Sequence, residues 1–300
     1  MTSSSPPLVA PTIIANDIKL VVADMDGTLL DEHGAIPAAF WPVLQRLNER
    51  GITFAPASGR QYPVLAKLFG SVGAGLAVIA ENGAFVVSDG QEVSCSTVGR
   101  EVSHHVVTWV RQIAVQHNVG LVWSGRGRAY VERSDAPFLA ELDALYSSLE
   151  VVEDLLEVSD AALKFSLFDF AGANASLKLL LAEAIDPFQV VTASAHWTDI
   201  MDPSVNKGVA LRTLRASLNV SADETIVFGD YLNDLEMFAE ATHTFAMANA
   251  HPMLLSAARY VAPSNRDHGV ITTLSRWLES TGPSEASGAR RGSLSLASGD

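Results

Sequence analysis

Two carboxylates separated by a single residue close an apolar run. Leu20-Val21-Val22-Ala23-Asp24-Met25-Asp26-Gly27-Thr28-Leu29 begins as a β-branched stretch and stops at two acids, a glycine and a hydroxyl. That is the pattern of a buried strand that delivers charge to its exposed end. Side chains two apart on a strand share a face, so Asp24 and Asp26 are expected to lean toward one point while Met25 packs away. Like charges held close together push their pKa values apart, which leaves one carboxylate ionised and the other able to carry a proton. An ordinary strand ending in an Asp-Gly turn fits this segment equally well, so other groups must decide.

Three further motifs stand at predicted strand ends or helix starts. Ser58-Gly59-Arg60 follows the strand Ile52–Ala57, whose Pro56 suits a strand end or edge. Lys207 opens a helix to Ser217, and Gly229-Asp230-Tyr231-Leu232-Asn233-Asp234 follows the strand Thr225–Phe228. Singly these read as a turn, a solvated charge and a helix cap. In an open parallel sheet, however, the carboxyl ends of the strands form one ligand crevice, so groups far apart in sequence converge there.

The elements between them supply such a sheet. Apolar residues at Phe40, Val43, Leu44 and Leu47 have helical spacing, and Gly51 stops that helix. A helix over Tyr62–Phe69 and a strand over Leu76–Ala80 complete a βαβαβ alternation, the signature of a parallel sheet covered by helices. After Glu81-Asn82-Gly83 the pattern changes to a hairpin around Asp89-Gly90, a helix Glu101–His117, short strands Leu121–Trp123 and Ala129–Val131, and a helix Pro137–Leu149. A strand Lys164–Phe168, a helix Ala175–Ala184 and strands near Val190 and Thr198 follow. Alternation resumes at Lys207. The expected fold is therefore α/β, a Rossmann-like parallel sheet with helices on both faces. Its discontinuous core spans residues 17–84 and 191–280, with an α+β cap inserted at 85–190. Residues 1–16 and 281–300, rich in Ser with Pro or Gly, are expected to be disordered tails.

At 300 residues, 48% hydrophobic and 18% charged, the chain is long enough for two domains. Apolar stretches end short of the roughly 18 residues a spanning helix needs, and no basic, apolar leader opens the chain. The expectation is a cytoplasmic protein without a membrane partner. Cys95, the single cysteine, has no internal disulfide partner. A formal charge of −14, with Arg290-Arg291 the only adjacent basic pair, argues against nucleic acid. It also means that a phosphate site would need local positive charge from a metal, a lysine or helix N-termini.

In this order, Asp24-x-Asp26-Gly-Thr28, Ser58-Gly59-Arg60, Lys207 and Gly229-Asp230-x-x-Asn233-Asp234 resemble the haloacid dehalogenase (HAD)-like hydrolase superfamily. Within it they are similar to the Cof-type phosphatases, whose C2B-like cap is inserted after the third strand. Glu81-Asn82-Gly83-Ala84, Ala246-Met247-Ala248-Asn249-Ala250 and Asp267-His268-Gly269-Val270 extend the likeness to nearly the whole chain apart from its tails. Met25 between the aspartates and Ser58 in place of a common Thr are departures that remove no functional group.

The resemblance implies a Mg2+-dependent phosphohydrolase. Asp24 would attack phosphorus, and Asp26 would protonate the leaving alkoxide and later activate water. Asp24, the main-chain carbonyl of Asp26 and Asp230 would hold the metal, with Asp234 orienting a bound water. Lys207 would neutralise Asp24 and the phosphate, while Thr28, Ser58, Gly59 and Asn233 would bind the transferred group. The implied substrate is a small phosphorylated metabolite, a sugar phosphate or a phosphorylated cofactor. A phosphomutase and a non-catalytic phospho-ligand binder on the same scaffold stay open, as does the oligomeric state. Trp123, Arg126 and Arg128 could reach over the site or form a solvated Gly-rich turn. The pair His104-His105 lacks the spacing of metal ligands.

Overall fold

The computed structural model describes residues 17–70, 76–143, 145–172, 188–192 and 195–281; the helix expected at 175–184 and, apart from Thr281, both expected tails lie outside them. Two sheets organise the chain. The larger runs β14-β13-β12-β1-β2-β3-β4-β5, from Leu20–Asp24 (β1), Thr53–Ala57 (β2), Ala77–Ala80 (β3), Phe85–Ser88 (β4), Gln91–Cys95 (β5), Thr225–Gly229 (β12), His243–Met247 (β13) and Tyr260–Ala262 (β14). β1 lies at its centre, parallel to β2 and β12, with all five of its residues buried. Full burial on both faces is what selects its unbroken apolar run over an alternating one.

Helices cover the sheet on both faces. Phe40–Glu49 seats Phe40, Val43, Leu44 and Leu47 in the core, the four positions its spacing singles out. It packs against the closing helix Gly269–Ser280, while Lys207–Leu218 packs against Leu235–Phe238.

The smaller sheet runs β10-β11-β9-β6-β7-β8, from Val119–Ser124 (β6), Ala129–Val131 (β7), Leu149–Val151 (β8), Lys164–Asp169 (β9), Gln189–Thr192 (β10) and Trp197–Met201 (β11). The side-chain period of two divides β9 between its faces. Phe165 and Leu167 pack with Val106, Val107 and Val110 of the helix Arg100–Ile113, while Phe168 packs with Phe138 and Leu142 of Ala136–Leu142. Lys164 and Ser166 share the side of Phe168, and Ser166 lies directly opposite Asp199 of β11.

Both expected seams shift. The hairpin β4-β5 is antiparallel to β3 and extends the larger sheet, and β11 pairs with β9 in the smaller one. A hairpin's alternation carries no mark of which open edge it will join, so residues 85–95 read as the start of the insert. The helix expected over Pro137–Leu149 spans Ala136–Leu142, and β8, only three residues long and not expected, begins at Leu149.

Candidate active site

Asp24 is the last residue of β1, and there the chain leaves the sheet. Met25–Leu29 form one wide turn, with Asp26 at φ −80° and ψ 117° and Gly27 at φ +84°. Asp24 and Asp26 therefore do not share a strand face, contrary to their spacing. Met25 does pack away, fully buried. The turn is braced from the far side of the sequence: Asn249 Nδ2 donates to Gly27 O at 2.9 Å, and Asn265 Nδ2 donates to Leu30 O at 3.0 Å. Asn249 lies in a motif that likeness alone had marked; no spacing rule points to its bracing role.

Lys207 enters beneath the turn as the first residue of its helix, 1% exposed, with the Asn206 side chain capping that helix at Val209 N. Its ammonium pairs with Asp24 Oδ1 and, at 2.7 Å, with Asp234 Oδ1. The other oxygen of Asp234 accepts from the backbone amides of Asp230, at 3.0 Å, and Tyr231, at 3.2 Å. Asp230 Oδ1 accepts from Thr28 Oγ1 at 2.9 Å. Gly27 is obligatory here: a Cβ on it would lie 2.4 Å from Asp230 Oδ2.

Three carboxylates, those of Asp24, Asp230 and Asp234, each offer an oxygen within 4.8 Å of the others. Burial pushes the Asp24 carboxyl well above the usual carboxylate range; Lys207 opposes this, and Asp234 and Asp230 add to it. Asp230 is pushed up to about 6, chiefly by burial, with the Thr28 hydrogen bond pulling the other way and Asp234 adding repulsion. For Lys207, burial alone would lower the ammonium, but Asp234 and Asp24 reverse the direction and hold it above its ordinary value. Three carboxylates crowded together, each with an oxygen near the same point, are a donor set suited to a hard dication. The Asp26 carboxylate stands apart from this group. It accepts a two-pronged contact from Arg60, Nε at 3.0 Å and Nη2 at 2.5 Å, and remains largely exposed.

Ser58, Gly59 and Arg60 follow β2 and are held by the next loop. Asn82 N donates to Ser58 O at 2.9 Å and Glu81 N to Arg60 O at 3.0 Å. To reach them, Glu81, Asn82 and Gly83 adopt φ values of 51°, 56° and 105°, a left-handed run that two non-glycine residues sustain only when their surroundings over-determine it. Part of that surrounding comes from the smaller sheet. Lys164 Nζ donates to Gly59 O at 2.9 Å and pairs with Glu81 at 2.8 Å and Asp199 at 3.3 Å. Lys164 had been legible only as the head of a strand.

These groups line one crevice of about 920 Å³, which includes Asp24, Asp26, Ser58, Gly59, Lys207, Asp230 and Asn233, with Asn233 exposed at its mouth. Such a volume suits a small molecule. Thr28 and Asp234 sit immediately behind it. Trp123, Arg126 and Arg128 are not in its lining. Trp123 is buried, donating Nε1 to Asp160 O, and the arginines pair with Glu92 and Glu150. His104 and His105 do not line it either. Cys95 is half-buried at the end of β5, and burial pushes its thiol up, away from reactivity.

Among the described residues no helix is long and apolar enough to cross a membrane. The family described as haloacid dehalogenase-like hydrolase matches residues 21–274. The 5-amino-6-(5-phospho-D-ribitylamino)uracil phosphatase YbjI of Escherichia coli is 31% identical over 269 residues, covering 89% of this chain and 98% of that one. A phosphoglycolate phosphatase of Metallosphaera sedula is 30% identical over 244 residues, 80% of this chain and 90% of its own. Among solved structures, TM0651 from Thermotoga maritima superposes with a TM-score of 0.78 at 27% identity, covering 86% of this chain and 97% of that one.

Proposed function

The chain belongs to the haloacid dehalogenase-like hydrolases and is a phosphatase of small phosphorylated compounds, and from that premise we propose a Mg2+-dependent phosphomonoesterase working through Asp24. The observation that carries this reading is the Asp24 carboxylate, set at the end of the central strand, paired with buried Lys207 and facing the crevice. Phosphate esters resist hydrolysis in water, and a carboxylate nucleophile divides the reaction into two easier displacements. An Asp24 oxygen forms a bond to phosphorus as the bond to the leaving oxygen breaks, and Asp26 gives that oxygen its proton. Water then attacks the aspartyl phosphate, Asp26 takes the water's proton, and Asp24 is released with inorganic phosphate. The exposure of Asp26 at the crevice supports its role at the side where the leaving group departs.

Asp24, the main-chain carbonyl of Asp26 and Asp230 would hold Mg2+, which supplies positive charge against the phosphate oxygens. Asp234, with one oxygen on Lys207 and the other on two amides, suits positioning better than direct ligation. Ser58, Gly59, Thr28 and Asn233 would receive the phosphoryl group. The smaller sheet would act as the cap, since Lys164, Ser166, Trp197 and Asp199 line the crevice from it. The substrate would be a sugar or polyol phosphate or a phosphorylated cofactor, in keeping with the phosphoribitylamino compound for which the Escherichia coli relative is named.

Phosphate release from a chromogenic aryl phosphate, with Mg2+ and with EDTA, tests the reading. Activity is expected only with the metal, and Asp24→Asn is expected to lower it by about a thousandfold or more. Activity that survives Asp24→Asn removes the nucleophile.

A further inference from the structure

Three cations line the crevice among the described residues, Arg60, Lys164 and Lys207, against the carboxylates of Asp24, Asp26, Asp199, Asp230 and Glu236. Each cation is already engaged. Lys207 serves Asp24 and Asp234, and Arg60 is matched by Asp26. Among the described residues that line the crevice, Lys164 is the one cation on the side of the smaller sheet. Its ammonium has three protons, and three acceptors surround it: Gly59 O at 2.9 Å, Glu81 at 2.8 Å and Asp199 at 3.3 Å. It is 5% exposed, and two acids share its single charge. On that wall a second anion on the substrate would meet an ammonium already bonded to a main-chain carbonyl and shared by two acids, and a net negative surface.

Hydroxyl groups would meet the reverse. Ser166 Oγ spends its proton on Asp199 Oδ1 at 2.7 Å, so its lone pairs can accept. Asp199 is acceptor-only when ionised and has lone pairs beyond those used by Ser166 and Lys164. Both residues are buried on facing strands and line the crevice. Trp197, half-buried on the same strand as Asp199, adds an apolar ring face to the lining.

We infer that the ester cleaved by this chain has an uncharged, hydroxyl-bearing leaving group read by Asp199 and Ser166, and that esters carrying a second anionic group are rejected. This rests on the phosphatase reading above and narrows it.

Pairs of esters matched in size and differing by one carboxylate test the inference with Mg2+ at pH 7.5. Glycerol 3-phosphate is compared with 3-phosphoglycerate, and glucose 6-phosphate with 6-phosphogluconate. Each is assayed as a substrate or, where it is not turned over, as a competitive inhibitor of aryl phosphate hydrolysis. The neutral member of each pair is expected to be favoured by about a hundredfold or more in kcat/KM or inhibition constant, since like charges without a partner discriminate strongly. Asp199→Asn, which removes one negative charge beside Lys164, is expected to narrow that ratio by about tenfold. Equal or better use of the anionic members overturns the inference alone, as does a ratio unmoved by Asp199→Asn in a folded variant. If that variant does not fold, the wild-type ratio decides. No release from any ester, the aryl phosphate included, overturns the phosphatase reading itself.

Discussion

Replacing Lys207 by methionine isolates the electrostatics of the site from its packing. Methionine matches lysine in length and fills its space, so the cavity contribution is small. What remains is charge: Lys207 is 1% exposed, and its partners Asp24 and Asp234 have side chains 10% and 0% exposed. Removing one partner of a buried ion pair costs about 3–5 kcal/mol, and here a single ammonium serves two carboxylates, which places the expected loss toward the upper end. Against a total stability of about 5–15 kcal/mol, that loss is readily measured by urea unfolding followed by circular dichroism without divalent cations.

The pH dependence has a definite sign. Without the ammonium, which opposes the upward push of burial, the folded-state pKa of Asp24 rises further above its unfolded value. The stability available with Asp24 protonated is fully present below its unfolded pKa and is lost as pH rises through the folded value. The gap between wild type and Lys207→Met is therefore expected to be wider at pH 8 than at pH 5, by about 1.4 kcal/mol for each unit of added shift. A loss under about 1 kcal/mol at pH 8, or equal losses at both pH values, would refute the claim that Lys207 offsets the burial of the two acids it pairs with.

Three further outcomes follow from the same geometry. Gly27→Ala forces a side chain into left-handed backbone, at about 1–2 kcal/mol, and its Cβ displaces Asp230 from Thr28; wild-type urea stability together with wild-type phosphate release would contradict this. Mg2+ at a hundred times its dissociation constant is expected to stabilise the wild type by about 2.7 kcal/mol and to leave the melting temperature of Asp230→Asn nearly unmoved; equal shifts in the two would place the metal elsewhere. Arg111→Ala, at a network with Glu132 and Asp154 whose side chains are 27–42% exposed, should change stability by no more than about 1 kcal/mol; a loss above 2 kcal/mol would show that these half-exposed pairs do more than surface ion pairs do.

The parts of this molecule that were legible in its sequence are those governed by local pattern. β1, β2 and β12 read as continuous apolar runs because both faces are buried, and the polar residues that end them had to meet because parallel strands end on one edge. Lys207 could be placed since a helix begins there. Asp26 was misjudged in orientation: its spacing from Asp24 implies a shared face only while the strand continues, and the turn around Gly27 ends the strand first. Residues 85–95 and 197–201 were assigned to the wrong side of each seam, because sheet membership is decided by non-local pairing. Lys164 could not have been singled out at all. A lysine at the head of a strand is usually solvated, and only the approach of Gly59 and Glu81 from a segment some eighty residues earlier, or more, makes it a buried cation.

The left-handed passage through Glu81, Asn82 and Gly83 has a consequence for how the molecule comes apart. Holding non-glycine residues in that region costs of order 1–3 kcal/mol each, and one contact that offsets it, Lys164 to Glu81, belongs to the other sheet. Neither sheet can therefore reach its lowest free energy in isolation. If the smaller sheet departs, the loop loses a reason for its shape and releases Ser58 and Gly59 with it. The two sheets should melt in a single cooperative transition, and a fragment carrying only the larger one would keep its strands while losing the loop proposed to receive phosphate.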